Sequence, residues 1–403
     1  MTPTEDVKYI LGKEEYGIKY DFTKLRKEYK KLGCPKDVYD PTTCPLETAK
    51  YFVANSERNV GKTTNWLLFG MLMNKMYGTI IQYVRQTDNM VVPKQLKDLF
   101  STILLYDYVS KITDGRWNSV LYRARRYYYC NVDPDSGQVV EKDTEHFMFC
   151  CSIDKAEDLK SSYNAPLGDL IIWDECIGKY YYPNEFVRFC DLVKTIIRGR
   201  RSPLIVLLAN TIQPHSPLYN ELEIYEQVQL LHAGDHELIE TQKGTKIYLE
   251  WIGVTGEKKE KNTIVNKLFF GFKNTLLGSI TGDDWAIKCY QHIPELPNDD
   301  ENATADILSR RLYLFFNNKY VRLDLVDHYE LGICIYAHWA TRTYTDSIIL
   351  TNVERTDRRF QYKLGEGNLS KFLKKMIETN RIYYASNDIG TFTEAYLSTI
   401  SKL

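Results

Sequence analysis

What this chain of 403 residues lacks narrows its identity more than what it is rich in. No uninterrupted apolar run approaches the ~18 residues that a bilayer-crossing helix requires. Leu204-Ile205-Val206-Leu207-Leu208-Ala209 has the length of a strand instead, so a membrane span is not expected. Net charge is also missing, at −1. With no global field, contact with nucleic acid has to come from local basic faces or from the inner surface of a ring. The nine cysteines are odd in number and include no Cys-x-x-Cys pair. The chain also starts without a charged-then-apolar secretory leader, so we expect reduced thiols in a cytoplasm and no disulfides. Cys34 and Cys44 have no neighbouring cysteine or histidine to complete a zinc site.

What is present can bury a core: 44% of residues are hydrophobic and 26% charged, at a length that suggests two domains or one with a large appendage. The thirty-one tyrosines read mostly as amphipathic core and sheet residues rather than as individual binding groups.

One stretch organises the chain. Tyr51-Phe52-Val53-Ala54-Asn55-Ser56-Glu57-Arg58-Asn59-Val60-Gly61-Lys62-Thr63-Thr64 reads as a strand, a tight loop ending Gly-Lys-Thr, and a helix start. That is a phosphate-binding loop of the form G-x-x-x-x-G-K-[ST], with Ser56 in place of its first glycine. Backbone N–H groups across Ser56, Arg58, Asn59, Val60, Gly61 and Thr64 would surround phosphate, and the helix adds its positive end. Lys62 reaches the β and γ oxygens, and the Thr63 hydroxyl holds Mg²⁺. The helix after Lys62 carries Trp66, Leu67, Phe69 and Met71 on all sides, so it packs against a sheet. Thr79 to Arg85 then reads as a buried parallel strand, giving βαβ order.

A second constellation, Leu170-Ile171-Ile172-Trp173-Asp174-Glu175, has the Walker B pattern. A buried strand would deliver Asp174 to the metal side of the phosphates, and Glu175 would polarise a water for attack on the γ-phosphate. Together the two elements point to ATP as substrate and Mg²⁺ as cofactor. Neither Asn266-Lys267-Leu268-Phe269 nor Asn318-Lys319-Tyr320-Val321 supplies the aspartate of the guanine-reading Asn-Lys-x-Asp motif. Asn210, closing the strand from Leu204, is a candidate γ-phosphate sensor. A helix from about Asn184 to Ile197 precedes Arg198-Gly199-Arg200-Arg201, where Arg198 or Arg200 can act as an arginine finger in a neighbouring subunit's site or simply close a helix.

Between these motifs, Trp117 to Cys151 reads as an antiparallel hairpin excursion whose Arg123, Arg125 and Arg126 alternate with tyrosines, a mix that suits DNA and equally an edge strand. Pro294, Pro297 and Asn298-Asp299-Asp300-Glu301-Asn302 mark a linker end. Strands near Leu312–Phe316, Tyr320–Val326, Leu331–Tyr336 and Ser347–Leu350 follow, then a helical region from Leu369. Basic residues there, among them Arg358, Arg359, Lys374 and Lys375, can hold nucleic-acid phosphates.

The combined pattern resembles the DNA-encapsidation ATPases of small podophages, the Picovirinae type, which are packaging motors related to terminase large subunits. The resemblance rests on Ser56-Glu57-Arg58-Asn59-Val60-Gly61-Lys62-Thr63, Tyr83-Val84-Arg85, Pro183-Asn184-Glu185, Ile197-Arg198-Gly199-Arg200 and Leu208-Ala209-Asn210, in the family's order and approximate spacing. It implies an α/β fold: a P-loop NTPase domain of ASCE type, mainly parallel, followed by a ribonuclease-H-like α+β domain. The expected layout is an N-terminal arm over 1–46, the ATPase domain over 47–230, a linker or helical subdomain over 231–300, and a vestigial, non-cleaving ribonuclease-H-like domain over 301–403. The resemblance further implies catalytic roles for Lys62, Glu175 as base and Arg198 as trans-acting finger, with Arg58 as a second arginine near the phosphates. It implies double-stranded DNA, a prohead portal and a packaging RNA as partners, and a homo-oligomeric ring, pentameric by that likeness, acting in the host cytoplasm while transiently attached to the prohead. Two other readings compete. One is a terminase with an active two-metal nuclease, for which Asp324, Asp327, Asp346 and Asp388 are the candidate carboxylates; the other is a nucleotide-switched scaffold.

Overall fold

The computed structural model describes residues 20–35, 38–56, 60–158, 168–178, 181–182, 184–197, 203–210, 214–253, 290–293, 305–362 and 368–400. They fall into two units: residues 1–177, 184–211 and 222–271 in the first, and 178–183, 212–221 and 272–403 in the second. Among the described residues no helix is long and apolar enough to cross a membrane.

The first unit is built on a nine-stranded sheet. Helix α1 (Phe22–Lys31) begins where the Asp21 carboxylate accepts from the Lys24 N–H at 2.9 Å, and it ends in Lys30 and Lys31, which suit the negative end of the helix. Strand β1 (Tyr51–Ser56) leads into α2 (Lys62–Tyr77), then β2 (Ile80–Arg85). The excursion follows as β3 (Ser119–Arg123), β4 (Arg126–Val132) and the long β5 (Val139–Ser152), before β6 (Gly168–Asp174), α3 (Glu185–Ile197) and β7 (Leu204–Asn210). The pair β8 (His236–Glu240) and β9 (Lys246–Trp251) completes it. The order is β3-β4-β5-β2-β6-β7-β1-β9-β8, parallel from β5 to β9 and antiparallel in the flanking pairs. Thus β7 lies between the strand that leads to Lys62 and the strand that ends at Asp174.

Helix α2 is buried nearly all round, as its composition requires. Gly70 lets it approach the sheet closely, since a Cβ there would lie 2.6 Å from Ile81 Cδ1 and 2.8 Å from Leu170 Cδ2. The expected arm is part of this body: Leu25, Tyr29, Leu32, Tyr39, Cys44 and Leu46 share one core with α2 and β1. The boundary drawn at 230 is corrected likewise. Residues 236–251, expected in the linker, form β8 and β9: β9, buried from Ile247 to Trp251, lies parallel to β1 with Glu250 opposite Ala54 and antiparallel to β8.

The second unit has a six-stranded sheet of order β14-β13-β10-β11-β12-β15. Strands β10 (Ala305–Phe316), β11 (Lys319–His328) and β12 (Gly332–Ala340) form an antiparallel meander. Its first turn is Asn317-Asn318, both left-handed, at φ 47° and 57°. Strand β13 (Ile348–Thr351) runs parallel to β10, β14 (Phe360–Tyr362) parallel to β13, and β15 (Ile382–Tyr384) parallel to β12. Helices α4 (Asn368–Glu378) and α5 (Asn387–Ile400) cover one face through Leu373, Met376, Phe392 and Tyr396, which meet Leu314, Val321 and Ile335.

Candidate active site

Strands β1, β7 and β6 deliver their last residues to one edge of the sheet: Ser56 is in register with Asn210, and Asp174 with Leu208. Ser56 closes β1 in extended backbone that any residue adopts, so the missing glycine costs nothing. Its hydroxyl instead receives the Lys62 ammonium, which also donates to Asn210 Oδ1 at 3.3 Å. The left-handed turn falls on Gly61, at φ 85°. Lys62 is buried, and desolvation lowers its pKa to about 8 against the pull of nearby Asp174.

Thr63 Oγ1 donates to Asp174 Oδ1 at 2.9 Å. The other Asp174 oxygen accepts from Tyr83 OH at 2.6 Å and from Arg85 Nη1 at 2.9 Å, while Arg85 Nη2 donates to Glu175 Oε2. Arg85 therefore bridges both carboxylates. Glu175 stands at φ 52°, a left-handed conformation costing a non-glycine residue about 1 kcal/mol or more, and its carboxylate is half exposed. Strand β6 is backed by α3, where Phe189 packs on Trp173 with ring centroids 4.5 Å apart. The first turn of α3 is tied by Gln86 Nε2 donating to the buried Glu185 at 2.8 Å.

A cleft of about 280 Å³ results, lined by Val60, Gly61, Lys62, Thr63, Thr64, Asp174, Glu175, Leu208 and Asn210. All but Leu208 are residues singled out from the sequence. Arg58, Asn59, Arg198 and Arg200 lie outside the described residues. Tyr83 and Arg85 stood out in the sequence only as part of the run Tyr83-Val84-Arg85 that carries the family resemblance, with no contact assigned to either. The oxygens of Thr63 and Asp174 are hard donors that suit Mg²⁺.

Beside this edge, Glu250 is buried on β9, accepting from Tyr39 OH at 2.5 Å with Cys44 Sγ at 3.8 Å. Burial raises its pKa to about 7 against the opposing effects of Tyr39, Cys44 and Lys62. The folded chain thus binds this proton more tightly than the unfolded chain, whose carboxyl titrates near 4.5. The stability it contributes is complete below that pH and lost as pH rises through about 7. Glu250→Gln is therefore expected to leave stability unchanged at pH 4.5 and to raise it at pH 8.5, by up to roughly 3 kcal/mol. Urea midpoints at the two pH values check this.

The basic candidates are variously occupied. Arg123 is exposed, Arg125 is paired with Asp88 at 2.7 Å, and the Arg126 guanidinium lies over the Phe149 ring at 5.3 Å. In the second unit Arg359 is paired with Asp357 at 2.7 Å, Lys374 is 4.0 Å from Glu378, and Arg358 and Lys375 are exposed. Three of the four acidic candidates face a basic side chain. Buried Asp324 lies 2.8 Å from Arg322 and 3.1 Å from His338, Asp346 pairs with Arg311 at 2.9 Å, and Asp388 meets His215 at 2.8 Å. Exposed Asp327, an odd number of places from Asp324 on β11, points to the other side of the sheet. Among the described residues, no three His, Cys, Asp or Glu side chains are grouped to hold a metal.

No protein-family model and no curated protein matches this chain. Its fold is similar to that of the solved structure described as the Phi-28 gp11 DNA packaging motor, at 15% identity and a TM-score of 0.51 over 91% of this chain and 98% of that one. The bacteriophage Phi-29 genome packaging motor assembly matches at 14% identity and a TM-score of 0.49, over 89% and 100% of the two chains. The N-terminal domain of the phi29 DNA packaging ATPase matches at 17% and 0.41, over 54% and 97%. The likeness is one of fold: a phage packaging motor and this chain share their arrangement of elements.

Proposed function

We propose that this protein is an ATP-driven motor that moves double-stranded viral DNA into a prohead. The observation that carries the reading is the convergence of Lys62, Thr63, Asp174, Glu175 and Asn210 on one cleft, with β7 between the two motif strands, an arrangement that fits an ASCE-type ATPase. The fold likeness to a DNA packaging motor supports the choice of DNA as cargo.

In this reading the loop N–H groups of residues 60–64, the start of α2 and Lys62 hold the β and γ phosphates. Thr63 and Asp174 would hold Mg²⁺, which neutralises charge on those phosphates when bound. Glu175 orients water in line with the γ-phosphate and takes its proton. Arg85, bridging Asp174 and Glu175, fixes the angle at which Glu175 faces the cleft. Asn210, already on Lys62 at 3.3 Å, senses whether a γ-phosphate is present. Arg198, with Arg200 as its alternative, follows α3 and completes the site of a neighbouring subunit, so the protein works as a ring.

The second unit is read as a ribonuclease-H-like domain. Its antiparallel meander extended on one side by the parallel strands β13 and β14 supports that, and the engagement of Asp324 by Arg322 and His338 favours a non-cleaving version that binds nucleic acid. Portal, packaging RNA, pentameric assembly and action in the host cytoplasm belong to the same proposal. The test is steady-state ATP hydrolysis with and without double-stranded DNA, at concentrations spanning self-assembly. Stimulation by DNA, activity rising faster than linearly with protein, and loss of turnover in Arg198→Ala are expected. Turnover indifferent to DNA and to Arg198 would remove the motor and leave an ATPase.

A further inference from the structure

Two consecutive peptide planes of the phosphate loop are held from the N-terminal segment. The Tyr39 N–H donates to Val60 O at 3.0 Å, fixing the plane that carries the Gly61 N–H. The Gly61 carbonyl, on the next plane, accepts twice, from the Asn65 N–H at 3.0 Å and from Asn65 Nδ2 at 2.9 Å. Asn65 Oδ1 in turn accepts from the Tyr29 hydroxyl at 2.6 Å. Because the peptide is planar and trans, a carbonyl held in one direction aims the N–H of the same plane in the other. Holding Val60 O and Gly61 O therefore aims the N–H groups of Gly61 and Lys62, the donors that a phosphate would meet.

The relay is built rather than incidental. Tyr29 and Asn65 are 2% and 5% exposed, and neither lines the cleft. The Tyr29 ring packs on Phe69 of α2, with centroids 5.9 Å apart, which holds its hydroxyl toward Asn65. Burial raises the Tyr29 pKa, so the hydroxyl stays a donor. An asparagine is the side chain that serves here, since it accepts from Tyr29 and donates to Gly61 through a single rigid amide.

We propose that Tyr29 and Asn65 are positioning residues of the nucleotide site: α1, through Tyr29, Asn65 and the Gly61 carbonyl, sets the direction of the phosphate-loop N–H groups and hence the affinity for a nucleoside diphosphate. The inference rests on the reading of this cleft as a nucleotide site. It is tested on the full chain by calorimetric titration with ADP for the wild type, Tyr29→Phe, Asn65→Ala, the double variant and Lys62→Ala, together with thermal midpoints in the absence of nucleotide. Tyr29→Phe keeps the ring packing and removes only the donor. It is expected to raise the ADP dissociation constant by about three- to tenfold, the worth of one buried hydrogen bond. The double variant is expected to bind no more weakly than Asn65→Ala alone, because Tyr29 acts only through Asn65. A Tyr29→Phe protein with a lowered midpoint and the wild-type ADP constant would make the contact ordinary packing and overturn the proposal. If Lys62→Ala also binds ADP like the wild type, the cleft is not a nucleotide site and the larger reading falls as well. Should Asn65→Ala fail to fold, Tyr29→Phe decides alone.

Discussion

Glu175→Gln is expected to bind ATP as tightly as the wild type and to hydrolyse it at least about 100-fold more slowly, the usual worth of a positioned general base. Glutamine has nearly the shape of glutamate and can still accept from Arg85 Nη2, so the left-handed backbone at φ 52° and the cleft around it stay in place. What is lost is the negative charge that takes up the proton from water. The contrast between preserved binding and lost turnover separates a base from a ligand-holding residue. Single-turnover hydrolysis, alongside equilibrium ATP binding, measures it. A rate within a factor of about three of the wild type would leave Glu175 as a partner of Arg85 and move the base elsewhere.

Lys62→Ala should act in the opposite sense, on binding first. Among the described residues lining the cleft the ammonium is the one cation, and its contacts to Ser56 and Asn210 set it at the level where phosphate would enter. A charge-assisted contact to phosphate in a partly desolvated site is strong, and we expect ATP affinity to fall by about 100-fold or more. The nucleotide-free protein should lose nothing in stability. Burial lowers the Lys62 pKa to about 8, so at neutral pH the fold carries a cation that its surroundings disfavour. The expected signature is an unchanged or higher unfolding midpoint without nucleotide, and little shift of that midpoint when ATP is added. A protein that loses affinity only because it is partly unfolded would show a lower midpoint instead.

The residues that were legible in the sequence are those whose chemistry is announced locally. The run from Tyr51 to Ser56 ends in a loop and Gly-Lys-Thr, the run from Leu170 to Trp173 ends in two carboxylates, and the run from Leu204 to Ala209 ends in Asn210. Each is a buried parallel strand with polar groups at its carboxyl end, and such a strand needs no partner to be recognised. The meander of the second unit was likewise announced by strand-length apolar runs.

What the sequence hid is pairing between distant segments. Arg85 reaches Asp174 across 89 residues only because β2 lies beside β6, and nothing in the spacing says which strands are neighbours. Tyr39, which lies in no strand, meets Glu250 of β9 across 211 residues, so neither the role of the N-terminal segment nor the membership of β8 and β9 in the first sheet was visible. Ser56 stands where the loop pattern has its first glycine, and the pattern alone does not say whether a side chain fits there. The serine is harmless because the strand runs one residue further than the motif suggests.

The placement of Leu204–Asn210 has a mechanical meaning. This strand is laced along both edges, to β1 on one side and to β6 on the other, so the segments that carry Lys62 and Asp174 are each bolted to the same strut. A force drawn through the loops beyond these strands, along their length, would load both ladders in shear, and many parallel backbone bonds would have to fail together before the spacing between lysine and carboxylates changed. Strain would gather first in the turns at the sheet's edge, including the left-handed Gly61 and Glu175, leaving the bed on which the phosphates would rest unmoved.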